Sequence, residues 1–177
     1  MQPNTFLQAL HAWQGFYTLL GGAAATLTGL VFVAASLGAR LINEESDPKV
    51  RTFITPTVIY FSLVLLVSLL MNVPNQTRPA LAVQLAVVGL SGAGYSLSHL
   101  ARLRGFQRDG GLSRQTWAWN LAQPLHGALW LLGGAFGLRV SVTGGLDAAA
   151  VGAVLLIMVG IHNSWNMTLS LARLTPP

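Results

Sequence analysis

The residues most able to do chemistry in this chain lie in one run, His162-Asn163-Ser164-Trp165-Asn166-Met167-Thr168-Leu169-Ser170. At 100° per residue, His162, Asn163, Asn166 and Ser170 share about one third of a helix circumference. An imidazole, two amides and a hydroxyl on one face can relay a proton, hold a polar solute or line a wet cavity. In hydrocarbon an unsatisfied polar group costs several kcal/mol, so such a face must meet another helix or water. An interhelical hydrogen-bond seam is the alternative use of the same groups. His126 is the second candidate. Counted from the ends of the helices predicted below, His126 and His162 each lie roughly 13–17 Å deep. Two imidazoles at matched depth on consecutive antiparallel helices could ligate a haem iron axially or form a proton-relay pair.

Other catalytic patterns are thin. There is no cysteine, which removes disulfides, thiolate metal sites and thiol nucleophiles. No HExxH is present, and no apolar stretch contains Asp or Glu, which removes the intramembrane zinc and aspartyl protease patterns. Gly89-Leu90-Ser91-Gly92 is a GxSG and His162 to Asn166 an HxxxN, both patterns of rhomboid serine proteases, where Ser and His form a nucleophile–base dyad. Their order is reversed here: in rhomboids the HxxxN helix comes first, and the catalytic His follows GxSG. The chain is therefore not read as an enzyme.

Uncharged polar side chains are more widely spread. Thr26, Thr28 and Ser36 in the first apolar segment, and Thr55, Thr57, Ser62, Ser68 and Asn72 in the second, put hydroxyls and amides at many depths. A neutral lining of this kind passes ions or small solutes without charged rings. Proton-coupled transport would call for an intramembrane carboxylate, so a passive pore is expected rather than a pump. The same Ser and Thr are also ordinary in helix seams, where they bond back to their own helix.

The elements that must position these groups follow from where charge is missing. The chain is 53% hydrophobic and only 8% charged, with 10 Lys+Arg against 5 Asp+Glu. Soluble domains carry about 25% charged residues. A soluble enzyme, a disordered tail and a nucleic-acid binder are excluded together, since the basic excess is scattered arginine and not a patch. Residues 1–39, 52–77, 79–101, 115–138 and 148–172 are free of charge. Each is long enough for a spanning helix of about 20 residues, and none alternates like a barrel strand. The fold class expected is all-α: a bundle of five transmembrane helices over 16–38, 53–74, 79–102, 118–138 and 148–172. Residues 4–14 are expected to approach along the membrane interface. They are read as mature chain, because the basic start of a signal peptide is missing.

Arg78 and Arg139 fall on one side of such a bundle. Arg40, Lys49, Arg51, Arg102, Arg104, Arg108, Arg114 and Arg173 fall on the other. The positive-inside rule then places the N-terminus outside and the C-terminus in the cytoplasm. The loops are too short for a folded domain, which usually takes 50 residues or more, so a single transmembrane domain over 1–177 is expected.

Packing is expected to run through small residues, which replace the hydrophobic drive that lipid removes. Gly21, Ala25 and Gly29 are four apart, as are Gly22 and Thr26; Gly133 and Gly137 form a GxxxG, and Gly89, Gly92 and Ser96 share a side. Pro56 and Pro124 are expected to kink their helices. Tyr17, Trp117 and Trp119 read as interfacial anchors. So small a bundle is also expected to form a homo-oligomer.

The run Phe16 to Leu37, above all Ala25-Thr26-Leu27-Thr28-Gly29-Leu30-Val31-Phe32-Val33-Ala34, resembles the opening helix of a group of small bacterial multi-span membrane proteins of unknown function. Some of these are labelled modulators of a membrane AAA protease. The resemblance covers about one helix and brings no active site. It implies a bacterial inner-membrane location and admits an accessory role beside another membrane protein. The leading expectation is an oligomeric passive channel lined by Thr26, Thr28, Ser62, His126, His162, Asn163, Asn166 and Ser170. A non-catalytic accessory subunit comes second, and a haem protein using His126 and His162 third. Apart from that haem, no cofactor is expected.

Overall fold

In a computed structural model, residues 5–38, 48–106 and 122–172 are described, and they are helical apart from the turns at 72–77 and Ser141. The helices are α1 (Thr5–Gly38), α2 (Pro48–Met71), α3 (Arg78–Phe106), α4 (Gln123–Val140) and α5 (Val142–Ala172). Three of them contain segments long and apolar enough to cross a membrane: Phe6–Leu37, Arg78–Ser98 and Val142–Asn166. Large apolar side chains cover the outer surface, with Leu19 76% and Phe136 70% exposed. Such a surface suits a hydrocarbon surround and not water.

Each helix runs antiparallel to the one before it. Gly21 of α1 meets Ser68 of α2, and Gly92 of α3 lies against Leu63 of α2. Gly89 lies against Leu132 of α4, and Gly127 and Gly134 of α4 meet Gly152 and Gly145 of α5. Gly160 of α5 in turn receives Phe61 of α2. Helices α2 to α5 thus close a ring, and α1 lies outside it against α2 and α5.

The first helix is longer than expected. Residues 5–14 do not form a separate interfacial segment but continue α1, which at ~1.5 Å per residue is roughly 51 Å long. The reason is a seam of buried residues, Phe6, Leu10, Tyr17, Leu20, Ala24 and Val31, with Trp13 and Leu27 packed beside them. Their spacing alternates four and three, the repeat that keeps one helix face on a neighbour. Tyr17 belongs to this seam and is no interfacial anchor. It is fully buried, packs edge-on against Phe16 at 5.1 Å, and donates its hydroxyl to the Leu146 carbonyl at 3.2 Å. Trp117 and Trp119 lie outside the described residues.

The connections are tighter than charge alone suggests. Residues 139–147, expected as a loop, are helical except for Ser141, whose φ of −139° and ψ of 131° break the run. Its N–H closes α4 on the Gly137 carbonyl, and its hydroxyl accepts from the Gly144 N–H at the start of α5. One serine thus ends one helix and caps the next. Between α2 and α3, Asn75 takes a left-handed φ of 51°, which Asn tolerates better than branched residues. Gln76 donates to the Leu70 carbonyl and to Gln84. Pro56 lies inside α2, whereas Pro124 stands in the first turn of α4, where its fixed φ suits a helix start.

Arg78, at the start of α3, donates from Nε to the Leu138 carbonyl in the last turn of α4. A guanidinium there satisfies an orphan carbonyl and meets the negative end of the helix dipole. We expect Arg78→Met to cost about 1.5–3 kcal/mol. A thermal melt in detergent checks this, and an unchanged midpoint would remove the role.

Small residues pack where helices touch closest, but not as the four-residue spacings suggested. Gly21 is inward; Ala25 and Gly29 are exposed, and a Cβ on Gly29 would meet nothing within 4 Å. Each i+4 step drifts about 40° around a helix, so after two steps the third small residue has turned away from the partner the first one meets. Likewise Gly133 faces open space, while Gly127, Gly134 and Gly137 meet α5. Gly89, Gly92 and Ser96 do share the inner side of α3.

Candidate polar site within the bundle

The polar face expected on α5 is split by the structure. Asn163 turns inward and is fully buried, while His162 and Asn166 sit half-buried at the edge of the packed face. There the Asn166 Nδ2 donates to His162 Nε2 at 3.0 Å, one helical turn apart. That bond occupies one of the two imidazole nitrogens able to ligate a metal and holds the ring along its own helix. The side chain of Ser170 lies outside the described residues.

His126 is not beside His162. It is exposed, with Nδ1 3.1 Å from the Ala122 carbonyl. The contacts of Gly127 with Gly152 and Leu156 put His126 level with about residue 155. His162 is then roughly seven residues, or ~10 Å, further along the axis. The matched depth inferred from helix ends is lost because α4 and α5 are joined by a single residue, which sets a different register.

The candidate lining hydroxyls of α1 and α2 close on their own backbones. Thr26 donates to the Gly22 carbonyl at 2.9 Å, Thr28 to Ala24 at 2.8 Å and Ser62 to Val58 at 2.8 Å. A hydroxyl so satisfied can face lipid, a seam or water at little cost. Thr26 and Ser62 are exposed and Thr28 half-buried, so none of the three lines the inside of the ring. Ser91 of the GxSG pattern is likewise exposed and donates to the Val88 carbonyl.

The inside of the ring carries its own polar level, which spacing on single helices did not reveal. From the contacts of Gly160 with Phe61 and of Gly92 with Leu63, the relative levels of α2, α3 and α5 follow. Thr57 and Tyr60 of α2, Tyr95 and Ser96 of α3 and Asn163 of α5 then fall within about one helical turn along the axis. Thr57, Tyr60, Ser96 and Asn163 are buried. The two tyrosine rings meet edge-on at 6.0 Å, and Ser96 donates to the Gly92 carbonyl at 2.8 Å. The Tyr60 hydroxyl stands near Ser96 without reaching hydrogen-bond geometry, and both amide atoms of Asn163 are buried with no hydrogen-bond partner among the described residues.

From Phe61 to the turn end the buried side chains facing the ring are apolar, among them Val64, Val67, Met71, Leu81, Leu85, Leu131, Leu138 and Leu146, while Ser68, also buried on this stretch of α2, faces Gly21 of α1 and Gln76 lies in the turn itself. The polar level is therefore stopped on that side by packed hydrocarbon. Among the described residues the chain encloses polar groups without carrying a polar path from end to end. Compared with protein-family models, curated proteins and solved structures, the chain shows no match.

Proposed function

We propose that the chain is a five-span protein of the bacterial inner membrane, N-terminus outside, that assembles with copies of itself into a passive pore for ions or small solutes. The observation that carries this reading is the outer face of α1. Gly15, Gly22, Ala25 and Gly29 are exposed there, and a Cβ on any of the three glycines would meet nothing within 4 Å. The glycines are seven apart and so form a straight stripe, roughly opposite the seam that holds α1 to α2 and α5. In lipid, close approach through small residues is what associates helices. Thr26, with its hydroxyl already satisfied, borders the stripe and offers a neutral polar group to a path between subunits. The apolar packing inside each ring favours such a shared path over one through a single subunit.

The same outer face favours a second reading, docking on a different membrane protein as a non-catalytic accessory subunit. Proteoliposomes separate the two. Under the pore reading the purified protein is oligomeric and passes ions or small neutral solutes. Gly22→Leu and Gly29→Leu then give a folded monomer and tight vesicles, since a Cβ at either position meets nothing within 4 Å and points away from the packed seam of α1. Vesicles that stay tight with wild-type protein overturn the pore.

A further inference from the structure

We propose that the polar level inside the ring is a hydration site: Asn163 holds ordered water in the bundle, within reach of the Tyr60 hydroxyl. Asn163 is 0% and Tyr60 1% exposed. The amide of Asn163 brings two donor protons and an acceptor oxygen, and the phenol one of each. None of these atoms has a hydrogen-bond partner among the described residues. Buried amides and hydroxyls are almost always bonded, to protein or to internal water, because leaving one bare costs on the order of 1–3 kcal/mol. Rotating the amide exchanges donor for acceptor and leaves both ends in the same unbonded state.

The chemistry selects water over a cation. Asn163, Thr57, Tyr60 and Ser96 supply neutral groups without a carboxylate, whereas a hard cation takes six or more oxygens. Ser96 has already given its proton to Gly92, so it can only accept. A water molecule needs two to four polar partners, which this level offers from three helices. The site does not depend on the pore reading, since a sealed bundle holds water as well as a conducting one.

X-ray radiolytic labelling of the full chain in lipid nanodiscs tests this. Radicals formed from bound water oxidise an adjacent tyrosine in place, and a scavenger in bulk solvent does not quench them. Tyr60 is expected to be oxidised at a rate the scavenger leaves unchanged, while the exposed His11 is protected by it. Asn163→Leu removes the hydrogen-bonding group and should lower the Tyr60 rate severalfold. Asn163→Ser keeps such a group in a smaller volume and should retain the rate, which covers the case of a leucine variant that does not fold. An unlabelled Tyr60 in the wild type overturns the site. A rate unaffected by a folded Asn163→Leu overturns the role of Asn163. Flux is measured separately, so labelled Tyr60 in tight vesicles sinks the pore and keeps the water.

Discussion

Gly145→Ala should separate α4 from α5 and lower the thermal midpoint in detergent by roughly 6–12 °C, the equivalent of about 3 kcal/mol. The new Cβ would stand 2.5 Å from the Leu138 nitrogen and 2.9 Å from its Cα. Backbone atoms cannot turn aside as a side chain can, so the helices themselves must move. The next contact along shares the difficulty, because a Cβ on Gly152 would lie 2.7 Å from the Gly127 carbonyl oxygen. Moving the helices apart loses the dispersion contacts of the whole seam, since each contact falls off steeply with distance. Gly133→Ala is the control: it adds the same methyl to α4 where nothing lies within 4 Å, and its midpoint should not fall. Equal midpoints for the two variants would show that α4 and α5 are not in this close register.

The second large effect concerns Phe61 and Gly160. Phe61 is fully buried, and its ring fills the space a side chain at position 160 would take. Phe61→Ala should cost about 3 kcal/mol through the cavity it leaves. Gly160→Ala should cost about 1–3 kcal/mol through overpacking. Combined with Phe61→Leu, whose shorter side chain leaves room, Gly160→Ala should be tolerated better than the two single losses predict. A coupling of about 0.5–3 kcal/mol in a double-mutant cycle is the expected reading. Additive losses would mean that the two positions do not touch.

Both predictions rest on glycines that could be counted in the sequence but not assigned. Gly133 and Gly137 formed the conspicuous GxxxG, yet the α4 seam is Gly127, Leu131, Gly134 and Leu138, at heptad spacing. The seam of α1 was equally present in the sequence as Phe6, Leu10, Tyr17, Leu20 and Ala24. It was hidden because charge, the feature used to bound the segments, says nothing about which side of a segment is packed. Arg139 and Asp147 misled in the opposite direction. They are exposed on helical turns, and Ser141 alone makes the corner. Of the candidate site, the α5 cluster was legible as a face, but its division between inward Asn163 and the edge pair His162–Asn166 was not. That Asn163 shares a level with Thr57, Tyr60 and Ser96 could not be read at all, because the level joins residues of three helices.

Sequence alone determined that this chain is helical, that its apolar segments are separated by short charged stretches, and that polar work within them falls to hydroxyls, amides and imidazoles. Tertiary structure decided which face of each helix is packed, which glycines bring backbones together and which polar groups share a level. The physical reason lies in the surround. In water the inner face of a helix is apolar and the outer face polar, so periodicity reveals the core. In a bundle whose outer surface is also apolar, both faces carry the same kinds of side chain, and only their shapes against a particular neighbour tell them apart.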